Sequence, residues 1–267
     1  MRIGIGIPTY NGADSLPGVV KDIEDSYFPD YVESVDTLIY TNGCTDSTIS
    51  ICNKLEQEYN LDYIEDYERG KALAWNNIVS YFDTDIIIFL DDDVRLRNII
   101  TLAKLVELLK NNPGKKVVSG AISWKESDNY LSNLIFKVYR HFIMSSGVNI
   151  TGAIYAVRNG NLPEMPHNVI NEDRWLGLTL GQDKIIKDFT ALAYHKIPKN
   201  LWGYIKYYSR VAAGTIQLSE EFGLEIERWS KSEKYFFKRI YSKIGKLIGS
   251  ICYHHGYVDA KFSRFKK

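Results

Sequence analysis

Asp-Ile-Ile-Ile-Phe-Leu-Asp-Asp-Asp, residues 85–93, is the stretch that decides the fold of this chain. Its apolar run, Ile86–Leu90, predicts a strand that is buried on both faces. Three carboxylates directly after such a strand raise one another's pKa values unless a cation lies nearby. Asp91 and Asp93 would supply the hard oxygen ligands that Mg²⁺ or Mn²⁺ prefers. A turn followed by a helix N-cap would use the same residues, and both interpretations stay open at this point.

The composition is that of a globular protein. Of the 267 residues, 45% are hydrophobic and 25% are charged, and no apolar run is long enough to span a bilayer. The three cysteines form neither a metal-spaced set nor a disulfide framework, and the sequence shows no signal peptide. We therefore expect a cytoplasmic protein, whose place would be the inner face of the membrane if it binds one. We expect no nucleic-acid partner. The sequence does not predict its oligomeric state.

Apolar periodicity predicts strands and helices in alternation through the first half of the chain, which is typical of an α/β domain with a mostly parallel sheet. The predicted strands are Arg2–Ile7, Val35–Tyr40, Leu61–Ile64, Ile86–Leu90, Lys116–Ile122 and Ala153–Val157. The predicted helices are Leu16–Tyr27, Thr48–Tyr59, Gly70–Tyr81, Ile99–Leu109, Leu131–Met144, Trp175–Leu180 and Leu201–Ala213.

Polar loops accompany the elements of this first half, and loops after parallel strands converge on one edge of a sheet. There, Tyr10 would stack on a base, Asn42 would hydrogen-bond it and Lys71 would approach a phosphate. Each loop alone has a plain structural explanation: Tyr10 could pack, Asn42-Gly43 is a common turn, and Lys71 could be solvated. Together they predict a nucleotide-diphosphate site made of Pro8, Thr9, Tyr10, Asn11, Asn42, Asp46, Lys71, Asp91 and Asp92.

Several of these segments resemble motifs of the family 2 glycosyltransferases, which have the GT-A fold. The matching segments are Ile5–Asn11, Asn42–Thr48, Gly70–Asn76, Phe89–Asp93, Thr151–Ala153 and Asn171–Leu176. The resemblance implies a mixed, mostly parallel sheet flanked by helices. It also implies inverting transfer of a sugar from a nucleoside-diphosphate sugar to an acceptor hydroxyl.

The resemblance assigns further roles. Asp173 would be the catalytic base, and Gly152, Glu172 and Trp175 would bind the acceptor. His195 would join Asp91 and Asp93 at the Mn²⁺ or Mg²⁺ ion, although a lone histidine is more often structural. A helix cap is the plain alternative for the pair Glu172 and Asp173.

Some positions depart from the family pattern. Arg210 falls in a degenerate form of a family segment, where it would either clamp the diphosphate or lie on a helix surface. Asn42 replaces the aspartate that the family usually has near the nucleobase, and Cys44 replaces a serine in the same turn. An asparagine offers both a donor and an acceptor, so the sequence predicts the identity of the nucleotide less sharply. We slightly favour a UDP-sugar donor, with a glycan or lipid-linked acceptor.

Charge is distributed unevenly along the chain. Residues 228–267 contain eleven Lys or Arg and two Asp or Glu, a balance of +9, and residues 1–227 carry −9. Apolar residues at helical spacing in 229–251 are typical of a helix at a membrane interface, but they would equally suit packing on the catalytic domain or a second subunit. We therefore predict a catalytic domain over 1–215, with a nucleotide half over 1–97 and an acceptor half over 98–215. A basic helical extension over 216–267 follows it.

Three other functions fit part of the pattern. A retaining GT-A transferase or a nucleotidyltransferase would share the nucleotide half. A non-catalytic module that binds sugar nucleotides or glycans is the alternative outside enzymes.

Overall fold

One eight-stranded sheet organises the chain. The structure, a computed structural model, describes residues 1–124, 150–195 and 201–224. The strands are β1 (Arg2–Thr9), β2 (Ser34–Asn42), β3 (Asp62–Asp66), β4 (Ile86–Leu90), β5 (Val94–Leu96), β6 (Val117–Trp124), β7 (Ile154–Arg158) and β8 (Ile185–His195). The helices are α1 (Leu16–Glu24), α2 (Thr48–Glu58), α3 (Lys71–Tyr81), α4 (Thr101–Asn111), α5 (Glu172–Leu180) and α6 (Leu201–Glu220), with a 3₁₀ turn at Gln182–Lys184.

Strand β4 lies in the interior of the sheet, whose order is β3-β2-β1-β4-β7-β6-β8-β5. Every residue of Ile86–Leu90 is at most 1% exposed, as the apolar run predicts. Strands β3, β2, β1 and β4 are parallel, and so are β6 and β8, whereas β7 and β5 run antiparallel to their neighbours. The carboxyl ends of β1, β2 and β4 therefore meet at one edge, where the Asp triplet begins.

Most predicted elements are present with ends shifted by a few residues, but two strands were not predicted. Strand β5 has three residues, too few for a periodic signal. Strand β8 contains two consecutive exposed residues, Phe189 and Thr190, and its pairing with β6 shifts register between Ser119 and Ala121. Helix α5 starts at Glu172, earlier than predicted, and α6 continues past Ala213 to Glu220. The predicted helix Leu131–Met144 and the segment 229–251 lie outside the described residues.

Close packing explains the glycines of β1. A Cβ at Gly6 would lie 2.3 Å from Ile78 Cγ2, and one at Gly4 would lie 2.6 Å from Phe82 Cγ. Helix α3 and the residue after it thus approach the strand more closely than any side chain permits. These contacts hold the C-terminal part of α3 against β1, and Lys71 is the first residue of the same helix.

The chain divides into two compact units. The first comprises Met1–Lys125, Asn149–Asn168 and Glu172–Lys196 and holds the whole sheet. The second includes Val169–Asn171 and α6; within it, Asn171 Nδ2 donates to Val211 O at 3.0 Å and Ile170 N donates to Gln217 Oε1 at 3.0 Å. None of the helices in the described ranges is long and apolar enough to cross a membrane. The predicted boundary at residue 215 falls inside α6.

Candidate active site

Hydrogen bonds tie the loops after β1, β2 and β4 together. Tyr10 N donates to Asp92 Oδ2 at 3.2 Å, and Asn42 Nδ2 donates to Thr9 O at 2.9 Å. Asn11 adopts a left-handed backbone conformation (φ 54°), and its Oδ1 accepts from Thr45 N at 2.8 Å. The three loops therefore form one polar surface, as their positions in the sequence predict.

The predicted nucleotide-binding residues on this surface differ in exposure. Tyr10 is 43% exposed, and the Arg69 guanidinium carbon lies 4.7 Å from its ring centroid. Asn42 is 6% exposed and uses its amide N–H on Thr9, so it also holds the loop in place. Asp46 Oδ1 accepts from Thr48 N at 3.0 Å, which places this carboxylate at the start of α2. Pro8 and Thr9 are buried at the end of β1.

Asp91, Asp93 and His195 form a cluster that could hold a metal ion. One ligand atom from each residue lies within 4.8 Å of the others, and His195 Nε2 is 3.3 Å from Asp93 Oδ1. Pairing between β5 and β8 sets Val94 opposite His195, so the histidine lies beside the end of the triplet. Two carboxylates and one imidazole are an acceptable donor set for Mn²⁺, and the carboxylates alone also suit Mg²⁺. The side chains present therefore fit the predicted metal.

Asp92 faces the first loop. A Cβ at Gly12 would lie 2.5 Å from its Oδ2, and Tyr10 N donates to the same oxygen. Burial, together with the charges of Asp93 and Asp91, raises the pKa of Asp92 to about 7. Asp92 thus connects the triplet to the β1 loop.

Lys71 lies between two carboxylates. Its Nζ is 2.6 Å from Asp91 Oδ1 and 2.6 Å from Glu172 Oε1. Burial disfavours the charged ammonium, but the attraction of Asp91 and Glu172 prevails and holds the pKa of Lys71 well above its usual range. The lysine expected near a phosphate is therefore already paired with two acidic groups.

Asp173 occupies the first turn of α5, and its carboxylate is fixed by backbone donors. Gly152 N donates to Oδ2 at 3.0 Å, and Arg174 N donates to Oδ1 at 2.7 Å. Gly152 lies close to the triplet because Asp91 N donates to Ala153 O at 3.1 Å. The Thr151–Ala153 segment thus connects the Asp triplet to Asp173.

The other predicted acceptor residues also lie on α5. Glu172 is 5% exposed and is paired with Lys71, so it is not part of a solvated cap. Trp175 is 7% exposed, so protein covers most of its ring. Arg210 lies on α6 in the second compact unit and is exposed. Its predicted role on the diphosphate stays a prediction.

Two cations near Asp173 were not singled out from the sequence. Burial lowers the pKa of Arg174 and of Lys187, and the charge of Asp173 opposes both shifts. Arg174 directly follows Asp173 in the sequence, and this adjacency alone could have predicted that the guanidinium lies near the carboxylate. Lys187 lies on strand β8, which the sequence does not predict. No spacing between residues in the sequence indicates that it lies near Asp173.

Known proteins show the same family and fold. The model of Glycosyl transferase family 2 matches residues 5–157, more than half of the chain. No curated protein matches the chain at a significant level. Because the family match covers β1 to β7, it includes the three loops and the Asp triplet.

Several solved structures have a similar fold. The mannosyltransferase PcManGT from Pyrobaculum calidifontis, solved with GDP-Man and Mn²⁺, has a TM-score of 0.67 and 18% identity, with 95% of this chain and 73% of that chain covered. TarS 1–349 from S. aureus has a TM-score of 0.57 and 13% identity, with 97% and 81% covered. Glucosyl-3-phosphoglycerate synthase from Mycobacterium tuberculosis, solved with Mn²⁺, UDP and glucosyl-3-phosphoglycerate, has a TM-score of 0.54 and 14% identity, with 84% and 81% covered.

These likenesses show that the mixed α/β sheet is the GT-A fold that the sequence predicts. The family assignment rests on the match over residues 5–157. The chain therefore belongs to glycosyl transferase family 2.

Proposed function

We propose that this protein is an inverting, metal-dependent glycosyltransferase that moves a sugar from a nucleoside-diphosphate sugar to an acceptor hydroxyl. The observation that carries the proposal is the placement of Asp173. Its carboxylate accepts from Gly152 N, next to Ala153, whose carbonyl accepts from Asp91 N. The segment Gly152–Ala153 thus contacts both the candidate base, through the Asp173 carboxylate, and the candidate metal ligand, through the Asp91 backbone amide. A single displacement needs the base and the leaving group to be held in one region in this way.

Each residue of the site has a chemical task in this proposal. Asp91, Asp93 and His195 hold Mn²⁺ or Mg²⁺. When bound, the ion offsets the negative charge that develops on the departing diphosphate. Asp173 accepts the proton of the attacking hydroxyl, and its two backbone donors keep the carboxylate in place during transfer.

The proposal extends to the donor and the acceptor of the sugar. Exposed Tyr10 offers a face for base stacking, and a UDP-sugar is slightly favoured. The acceptor would be a glycan or a lipid-linked sugar in polysaccharide, lipopolysaccharide or glycolipid synthesis. The +9 balance of residues 228–267 supports contact with an anionic membrane surface. The division into a catalytic domain over 1–215 and an extension over 216–267 belongs to the same proposal.

The decisive experiment combines donor identification with one substitution. Thermal shifts with UDP-, GDP- and dTDP-sugars, in Mn²⁺ and in Mg²⁺, identify the donor, because a ligand of the folded state raises the melting temperature. Asp173→Asn should then lower the transfer rate about 100- to 10,000-fold and leave donor binding unchanged. Asp30→Asn, which changes an exposed aspartate, is the matched control.

The configuration of the product tests the stereochemistry. NMR of the new glycosidic bond should show the anomer opposite to that of the donor. A retained configuration, or full transfer by Asp173→Asn, would refute the proposed mechanism. Release of pyrophosphate would indicate nucleotidyl transfer instead.

A further inference from the structure

Lys71 links two parts of the site that are far apart in the sequence. Its Nζ contacts Asp91, at the end of β4, and Glu172, at the start of α5, each at 2.6 Å. Asp91 belongs to the candidate metal cluster. Glu172 directly precedes Asp173, the proposed base. One ammonium thus joins the metal side of the site to the helix that carries the base.

The stability of α3 does not explain this lysine. Lys71 is the first residue of the helix, where the backbone dipole presents positive charge, and a cation is unfavourable there. The two carboxylates offset that cost. The Glu172 side chain is only 7% exposed, and a carboxylate so deeply buried needs a cation beside it. The arrangement therefore favours a role for Lys71 in the site itself.

The charge balance around the cluster suggests what that role is. The triplet Asp91–Asp93 and the pair Glu172 and Asp173 bring five carboxylates into one region, and Lys71 contacts two of them. A metal ion that approaches Asp91 meets the ammonium already bound to that carboxylate. Two like unit charges about 4 Å apart repel by about 1 kcal/mol even in water.

We propose that Lys71 is a positioning residue that clamps Asp91 to Glu172, and that its charge weakens metal binding until a nucleoside diphosphate arrives. The diphosphate adds negative charge beside the cluster, so metal and nucleotide bind cooperatively. The clamp also fixes the start of α5 and with it the position of Asp173. This inference rests on the proposed function.

Metal binding to the full chain, without nucleotide, is the first test. Lys71→Met should tighten Mn²⁺ binding about ten-fold in isothermal titration, because a competing positive charge is removed. Lys71→Arg keeps the charge and should leave the affinity close to that of the wild type. Lys54→Met, on the exposed side of α2, is the matched control and should change nothing. A substitution that merely loosens the structure would not tighten metal binding, so an unchanged or weaker affinity in Lys71→Met overturns the proposal.

Nucleotide binding is the second test, with UDP and GDP as probes. In the wild type, Mn²⁺ should tighten nucleotide binding, and in Lys71→Met this coupling should be smaller. If Lys71 instead acts only as a phosphate ligand, Lys71→Met weakens nucleotide binding without metal and leaves Mn²⁺ affinity unchanged. That result would also refute the clamp.

The double variant separates the clamp from a folding defect. Lys71→Met alone leaves Glu172 buried without this cation and should lower the melting temperature. Lys71→Met with Glu172→Gln removes that charge and should restore most of the loss. If the single variant does not fold, the double variant should still show tighter Mn²⁺ binding than Glu172→Gln alone, and failure to do so overturns the proposal. A wild-type protein that binds Mn²⁺ but transfers no sugar would refute the proposed function. The Mn²⁺ affinity of Lys71→Met would still decide whether Lys71 opposes metal binding.

Discussion

At the scale of single residues, Gly152 and Asp173 show how the backbone fixes a reactive group. A Cβ at Gly152 would lie 3.0 Å from Asp173 Oδ2 and 3.2 Å from Cγ. The absence of a side chain allows the amide to reach the carboxylate. Any larger residue would have to push the proposed base away from the position it holds.

Gly152→Ala should therefore lower the transfer rate about 10- to 100-fold, because displacing a reacting group by a fraction of an ångström is costly. The melting temperature should change little, since only a carboxylate has to move. Steady-state kinetics with the identified donor provide the measurement. Gly114→Ala is the matched control, because a Cβ there would meet nothing within 4 Å. A Gly152→Ala variant with wild-type kinetics would contradict this role.

Residue chemistry also shows how far the sequence predicts the site. The Asp triplet could be recognised because carboxylates after a buried apolar run are costly without a cation. The pairing of Lys71 with Glu172 could not, because it depends on how α3 and α5 approach each other, and no local pattern encodes that approach. Asn42 shows the same limit, since its contact with Thr9 joins two loops.

At the scale of elements, the short strand β5 positions Asp93 and His195 beside each other in the metal cluster. Asp22 on α1 accepts from Arg95 Nε and Nη2, both at 2.7 Å, and from Leu96 N at 2.8 Å. The pairing of Val94 with His195 then brings the end of β8 to Asp93. Neither strand was predicted, because three residues carry no period and β8 contains a register shift. The approach of His195 to the triplet was therefore implied by family resemblance and not by local pattern.

Asp22→Ala should loosen β5. Urea denaturation should show a loss of about 1 kcal/mol in the free energy of unfolding, mostly from the unsatisfied Leu96 amide, since the Arg95 ion pair is screened by solvent. Mn²⁺ affinity should fall as well, because Asp93 directly precedes β5. Asp25→Ala, at the residue that follows the same helix, removes an exposed ion pair with Lys21 and should leave both quantities unchanged.

At the scale of the whole molecule, the candidate metal ligands join distant parts of the chain. Asp91 and Asp93 follow β4, whereas His195 ends β8. A ligand bound only by the folded chain stabilises it by mass action. Mn²⁺ at about 100 times its dissociation constant should raise the melting temperature by about 5–10 °C, and EDTA should reverse the shift.

Substitution of the histidine tests whether the cluster causes this shift. His195→Gln should abolish most of it, because one of three ligands is lost. His167→Gln changes an exposed histidine and should retain the full shift. An equal shift in both variants would place the metal elsewhere.

The two edges of the sheet have a consequence for how this protein behaves at high concentration. Edge strand β3 has five residues, of which Asp62, Glu65 and Asp66 are acidic, and the opposite edge, β5, has only three residues. A second copy that aligned its own β3 there would bring carboxylates against carboxylates, which is unfavourable in any strand pair. The short β5 offers too few backbone groups to recruit another chain. Within the described part of the chain, the sheet therefore resists strand-by-strand growth into aggregates.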